Sequence, residues 1–371
     1  MKRISILVWI LCVCFVPAAW GQKNGWSEFH RPDMTRFDPY EKVLNVNNVA
    51  NLQLKWSYST GANVASPVVV DGIVYFSSDD HNVYALRAST GALLWSYTTG
   101  GGAGRSPAVA NGVVYVGSGD DNVYALNAST GAKLWNYTTG GGVYSSPAVV
   151  NGVVYIGSND DKLYALNAST GALLWSYATG FFLQTDGGPA ITKGVVFVGS
   201  WDDRVYALDA STGARLWGYT TGFPVESSPA VANGVVYIGS DDDDVYALNA
   251  GTGAQLWSYT ANSGHVRSSP AVANGVVYVG SDDSNVDALD ASTGALLWNY
   301  TTGYSVGSGP AVANGVVYVG SYDYNMYALN AKTGAKLWSY TTGGYVGTPV
   351  VANGVVYVGS VDGHLYAFGL K

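Results

Sequence analysis

The chain repeats itself about every 40 residues, and no other feature limits its architecture as strongly. A Ser-, Gly- or Thr-Pro step recurs at Pro67, Pro107, Pro147, Pro189, Pro229, Pro270, Pro310 and Pro349. A tryptophan keeps the same rhythm at Trp56, Trp95, Trp135, Trp175, Trp217, Trp257, Trp298 and Trp338. Both series count eight units. Residues 106–140 show the content of one: "SPAVA", "VVYVGS", "VYAL" and "KLWNYTT", separated by "NG", "GDD" and "NASTG". Four short apolar runs split by turn residues are four strands, and four strands per 40 residues make one propeller blade. The "VVYV" run is apolar on both faces, as suits a sheet buried between two neighbours. The expected fold is all-β, a closed eight-bladed β-propeller of four-stranded blades.

The order of strand types sharpens this expectation. The first strand-like run, "LQLKWSYST", is of the fourth type, and the last, "HLYAFGL", is of the third. The N-terminal strand should therefore complete the last blade and remove the free sheet edges of an open array. Composition agrees, since 48 Gly and 28 Tyr disfavour helices and favour strands and turns. Residues 1–21, "MKRISILVWILCVCFVPAAWG", read as a secretory signal: Lys2 and Arg3, an apolar run, then Ala19, Trp20 and Gly21. Residues 22–50 form a lead-in, and residues 51–371 form the propeller. Cys12 and Cys14 both lie in the leader, which leaves the exported chain without a thiol for disulfide, metal or nucleophile. With a formal net charge of −8 and no basic patch, nucleic acid is not an expected partner. No further apolar run is long enough to span a membrane. The expected product is a monomer, periplasmic or secreted.

The spacing A-x-[DN]-x-x-T-G-x-x-x-W in "ALNASTGAKLW" (residues 125–135) resembles the tryptophan-docking motif of the pyrroloquinoline quinone (PQQ) repeat propellers. That family includes eight-bladed quinoprotein dehydrogenases and a non-catalytic periplasmic subunit of the outer-membrane protein assembly machine. The lead-in "GWSEFHRPDMTRFDPYEKVLNVNNVANLQLKW" is similar to the start of such proteins. A WD40 propeller is disfavoured, because Gly-His and Trp-Asp pairs do not recur once per unit. On the residues themselves, the "ASTG" turn uses Asn, Ser and Thr to bond nearby backbone and Gly for positive φ. Its tryptophan should cover that turn in a neighbouring blade and act in structure. The Asp repeated in each second-to-third turn should bond its own backbone two residues on.

Function should lie where the eight copies differ. The "NG" and "ASTG" turns share one face and hardly change, whereas the second-to-third turns and the blade-to-blade connections share the other face and vary: "GGAGR", "FFLQTDG", "FPVES", "NSGHVRS". Three residues before the blade prolines stand Val64, Gly104, Tyr144, Asp186, Glu226, Arg267, Gly307 and Val346. The polar arc Tyr144, Asp186, Glu226 and Arg267 is expected at the mouth of the axial channel, with Arg105, Gln184 and His265 close by. It offers either a site for a protein or small polar ligand, or a rim salt bridge from Glu226 or Asp186 to Arg267. Trp201, in a turn where other blades place small or polar residues, is expected to be exposed and to make contacts.

Enzyme signals are thin. "GYSVG" matches G-x-S-x-G but joins two strands instead of feeding a helix. His30, His81, His265 and His364 have no paired zinc spacing, although His81 and His364 lie in adjacent blades. The resemblance implies one enzymatic alternative, a PQQ- and calcium-dependent alcohol or sugar dehydrogenase. Such relatives use a Glu and an Asn on Ca²⁺, an Asp base, an Arg near the quinone and often an adjacent-cysteine ring. Asp186, Glu226 and Arg267 supply matching chemical types, but no mature cysteine exists and the blades are short. The expectation is a non-catalytic scaffold without cofactor, with a structural surface protein as a further alternative.

Overall fold

Each proline step opens a strand of only three residues, and the dipeptide behind it turns the chain straight back. In the second blade the strands are Ala108–Ala110, Val113–Gly117, Asn122–Asn127 and Lys133–Thr138. Asn111 and Gly112 between the first two have φ of 50° and 74°, the backbone that a two-residue type I′ hairpin needs to match strand twist. The computed structural model describes residues 26–29, 35–181, 188–262 and 264–371. Within them this antiparallel unit occurs eight times, one sheet gaining a short fifth strand. Residues 1–21, expected from the sequence to be a secretory signal, lie outside the described residues.

The second and third strands of a blade are buried on both faces, so each pair of neighbouring sheets encloses its own core. Tyr115, Val123 and Ala125 of the second blade, for example, meet Val154, Ile156 and Leu166 of the third. The fourth strand lies outside, and its tryptophan reaches across to the next blade. Trp95 donates from Nε1 to the Ala128 carbonyl at 2.8 Å, and its ring lies where a Cβ on Gly131 (φ 72°) would come within 2.6 Å. Tyr75 donates to the same carbonyl at 3.2 Å. Seven blades make the tryptophan bond to an alanine carbonyl, and the eighth tryptophan, Trp338, donates to Leu52 O at 3.1 Å. Of these eight tryptophans Trp95 and Trp257 are buried, and the other six are half-buried.

In most blades the aspartate of the second-to-third turn joins three elements; Asp160 and Asp202 lack the bond to backbone two residues on. Asp120 accepts from Asn122 N at 3.2 Å, two residues on, while its other oxygen takes the Tyr124 hydroxyl at 2.6 Å and the Gly100 N–H of the preceding connection at 2.7 Å. Burial alone would push this carboxyl up, but the hydrogen bonds outweigh burial and hold it below the usual carboxylate range.

Ring closure follows the order of strand types. Gln53–Ser59 pairs antiparallel with His364–Gly369, Ser57 opposite Tyr366, and becomes the outer strand of the eighth blade. The lead-in does something the repeat pattern did not foretell: it runs along the inner edges of several blades and fills the axis. Trp26 exchanges two backbone bonds with Val69, Val109 N donates to Ser27 O, Val149 N to Glu28 Oε2, Val272 N to Thr35 O and Val312 N to Arg36 O. Phe37–Asp38 then pairs parallel with Val312 and Ala313. Arg36 is fully buried. Its guanidinium donates to Pro310 O, Phe29 O and Pro349 O at 2.8, 2.6 and 3.1 Å and lies 4.4 Å from the Phe29 ring centre. Burial lowers its pKa to about 9, which leaves it a cation at neutral pH.

Candidate functional site

Two rings of side chains from successive blades interleave on the variable face. One comes from the connection into each inner strand, the other from the first residue after the conserved serine of the second-to-third turn. At three places a large side chain of one ring fills the space left by a glycine of the other: Asp79 at Gly104, Tyr144 at Gly119 and Tyr322 at Gly307. Arg105 beside Tyr144 donates from Nε to Tyr144 O and from Nη1 to Gly104 O, each at 3.1 Å.

The charged part of the arc centres on Arg267. Its Nε and Nη2 each reach Asp241 at 3.1 Å, Glu226 lies at 3.5 Å and Asp282 at 4.0 Å. The hydrogen bonds that Arg267 donates to Asp241, together with the charge of the three carboxylates, raise the pKa of the guanidinium above its ordinary value. Burial pushes the Asp282 carboxyl up against the pull of Arg267. His265 adds contacts to the Asp241 carbonyl at 2.5 Å and to Asp243 at 3.5 Å. Glu226, Arg267 and His265 are thus brought together, whereas Tyr144 and Arg105 meet each other elsewhere on the rim. Asp186 and Gln184 lie outside the described residues, as does His30. Asp241 and Asp282 were not singled out in the sequence, yet they occupy a turn position that varies among the blades, from Asp79 and Gly119 to Trp201, Tyr322 and Val361. Trp201, expected to be exposed, is half-buried in that same ring. Among the described residues, no group of three or more His, Cys, Asp or Glu is placed to hold a metal ion.

Counting back from proline misplaces two members of the ring. The connections into the eighth and first blades are one residue shorter, so Val346 and Val64 point inward. They pack on Gly320 and Gly359 as Val306 packs on Gly280 and are 1% and 3% exposed. The rim positions there are Gly347 and Ala65. Four neighbouring blades, the seventh, eighth, first and second, therefore carry Gly307, Gly347, Ala65 and Gly104, and the missing side chains leave a cleft of about 230 Å³ lined by all four. Phe29 of the lead-in contributes to its lining, with Asn63, Arg105, Ser66, Ser106, Tyr322 and Tyr345. Tyr322 stacks on Tyr345 at 4.6 Å and 26°; a Cβ on Gly307 would come within 2.6 Å of the Tyr322 hydroxyl. These tyrosines were legible as departures from the other copies, in "SYDYN" and "GGYVG".

A closed ring of eight four-stranded blades, with one constant and one variable face, defines an eight-bladed propeller built to present its rim. A family model described as "Outer membrane protein assembly factor BamB" matches residues 79–181, 182–305 and 282–371. Another, "Glucose/ethanol/alcohol dehydrogenase, beta-propeller domain", matches residues 26–105. The chain belongs to this family of PQQ-repeat propellers. The dehydrogenase subunit of alcohol dehydrogenase (quinone) from Gluconobacter oxydans is 33% identical over 81 residues, which are 21% of this chain and 11% of that protein. The match thus covers a small part of that relative. By structure, a europium-containing methanol dehydrogenase gives a TM-score of 0.82 at 18% identity, covering 94% of this chain and 98% of that one. BamB from Moraxella catarrhalis gives 0.74 at 21% identity, covering 86% and 100%. At such identities the likeness is one of fold, which does not carry activity. Among the described residues no helix is long and apolar enough to cross a membrane.

Proposed function

We propose that this chain is an exported, monomeric, non-catalytic scaffold of the cell envelope that captures a protein or small polar ligand on its variable rim. The observation that carries this reading is the contrast between faces: repeated turns on one, and on the other two rings of differing side chains surrounding a cleft. A rigid scaffold with loops varied on one side is the usual arrangement for recognition. The family description, an outer-membrane protein assembly factor, is in keeping with it. The test is photo-crosslinking in cells from benzoylphenylalanine placed at Phe223 or Tyr304, both exposed on the rim, and at Ser169 on the constant face. Adducts from the rim positions alone are expected; adducts from Ser169 alone would refute the reading.

A PQQ-dependent dehydrogenase is the second reading, favoured by the curated relatives. PQQ is a tricarboxylate, and in such enzymes it is held together with calcium. The donors of the cleft among the described residues are Asn63, hydroxyls and Arg105, whose guanidinium already serves two backbone carbonyls. Among the described residues no carboxylate lines the cleft itself, and Asp79 beside it is bonded to Asn63. This donor set does not fit the quinone and its cation, and no reaction step is assigned to them. Addition of PQQ with CaCl₂ should give neither a thermal shift nor dye-linked oxidation of alcohols or sugars; a shift with turnover would replace the scaffold reading.

A further inference from the structure

Three tyrosines meet on the rim between the seventh and eighth blades. Tyr322 and Tyr345 stack with ring centres 4.6 Å apart and planes 26° off parallel, and Tyr324 lies 5.5 Å from Tyr345. All three are exposed. The other copies show that the scaffold does not call for them. At the position of Tyr345 the first, fifth and sixth blades have Asn63, Pro224 and His265, and at that of Tyr322 the first, second and fifth have Asp79, Gly119 and Asp241. Tyr324 holds a left-handed backbone, φ 72°, that other blades give to Asp121, Ser284 or Gly363, a costly choice for a bulky residue.

Tyrosines also pair at the seams between blades, but in a different setting. Tyr219 and Tyr246 lie 5.4 Å apart, and Tyr246 is buried with its hydroxyl donated to Asp242 at 2.8 Å. Burial and that carboxylate raise its pKa, so the phenol keeps its proton. The same arrangement recurs at Tyr124 with Asp120 and at Tyr327 with Asp323. Rings packed in a core are held in one rotamer, whereas rings at the surface turn rapidly. Residues 22–371 contain no cysteine, so an oxidative cross-link within them falls to tyrosine.

We propose that Tyr322 and Tyr345 are a modification site: oxidised by hydrogen peroxide with a haem peroxidase, they couple into a dityrosine that staples the seventh blade to the eighth. Each phenol gives up one electron and one proton and becomes a phenoxyl radical. The two radicals join through a carbon ortho to each oxygen, and the hydrogens on those carbons move to the oxygens, restoring two phenols. The O–O bond of the peroxide breaks, and the two electrons and two protons leave with it as two molecules of water. The pair thus loses two hydrogens and gains one C–C bond. Tyr322 belongs to the second-to-third turn of the seventh blade and Tyr345 to the connection into the eighth, so the bond closes a loop around the strands Asn325–Asn330 and Lys336–Thr341. Such a link constrains the unfolded chain as a disulfide does. The inference goes beyond the capture reading and does not depend on what the rim captures.

The test treats the full exported chain, in dilute solution, with a haem peroxidase and hydrogen peroxide. Dityrosine fluorescence should appear in a species that stays monomeric on a denaturing gel. Mass spectrometry of its digest should find the Tyr322 and Tyr345 peptides joined and lighter by two hydrogens than their sum. Treatment should raise the melting temperature of the chain and not that of Tyr345→Phe. Tyr345→Phe keeps the ring but cannot form the radical, so it should lose most of the fluorescence. Tyr304→Phe, at another exposed rim tyrosine, should keep it. Thermal melting before treatment confirms that each variant is folded. Links mainly between other tyrosines or between molecules, equal fluorescence from Tyr345→Phe, or no dityrosine under conditions that couple free tyrosine would overturn the assignment. An unchanged melting temperature of the linked chain would overturn its role as a staple. The crosslinks that test capture on the rim read independently of all these outcomes.

Discussion

Seven blades place a tyrosine where the sixth places Asp287. In the seven, the hydroxyl donates to the turn aspartate at 2.5–2.8 Å, and the ring packs on a tyrosine of the preceding blade, as Tyr246 does on Tyr219 at 5.4 Å. Asp287 is 2% exposed and its Oδ1 has no hydrogen-bond partner. Burial, reinforced by Asp283 and only partly offset by a bond from Tyr259, pushes its carboxyl up to about 7. Asp287→Tyr should restore a charge-assisted bond to Asp283, about 1.5–3 kcal/mol, and an aromatic pair, about 0.5–1.5 kcal/mol. These overlap, so a gain of about 2–4 kcal/mol at neutral pH is expected.

The pH dependence gives the sharper criterion. A carboxyl whose folded pKa lies above its unfolded value favours folding while protonated, and that advantage declines as pH rises from the unfolded pKa to the folded one. Asp287 should therefore destabilise the native chain progressively between about pH 4 and pH 7, by at most about 4 kcal/mol, and no further above that. Denaturant unfolding of both proteins, followed by tryptophan fluorescence at several pH values, reads the difference directly. The advantage of Asp287→Tyr should grow across this window and then level off. A difference independent of pH, or a less stable variant, would refute the argument.

Two further outcomes follow from the seams between blades. Tyr318 is fully buried with an unpartnered hydroxyl, whereas Tyr278 donates to Ala331 O at 3.1 Å. Tyr318→Phe should be neutral or stabilise by up to about 1 kcal/mol, and Tyr278→Phe should cost about 1 kcal/mol, both read from denaturant midpoints. Gly171 has φ of 72°, and an added Cβ would come within 2.7 Å of the Trp135 ring. Gly171→Ala should cost about 1–3 kcal/mol; unchanged thermal stability would show that the indole moves aside without penalty.

The eight-bladed architecture was legible because every local signal agreed with it: period, dipeptide turns, doubly apolar strands and the displaced first strand. The rim was legible in part. Variation pointed to Glu226 and Arg267 correctly as neighbours, but comparison at a single position per blade passed over Asp241, Asp282, Tyr322 and Tyr345. Counting from proline also assumed connections of equal length, and one residue fewer turns Val64 and Val346 from rim to core. The lead-in was opaque for a different reason. It has no internal copy, and besides Phe29 the partners of Arg36 are the carbonyls of Pro310 and Pro349, which the closed ring alone brings near it.

Closure of the ring by Gln53–Ser59 also sets the order in which the chain can mature. This strand is made before its partner, His364–Gly369, with seven whole blades between them in chain order. Until then the eighth blade lacks its outer strand, and the early strand presents unpaired backbone to its surroundings. The entropy of joining ends so far apart grows only logarithmically with their separation, so the delay is a matter of waiting more than of thermodynamics. Blades can form one after another along the chain, but the last step belongs to the whole molecule, and a chain held before it is the species most exposed to mispairing with a copy of itself.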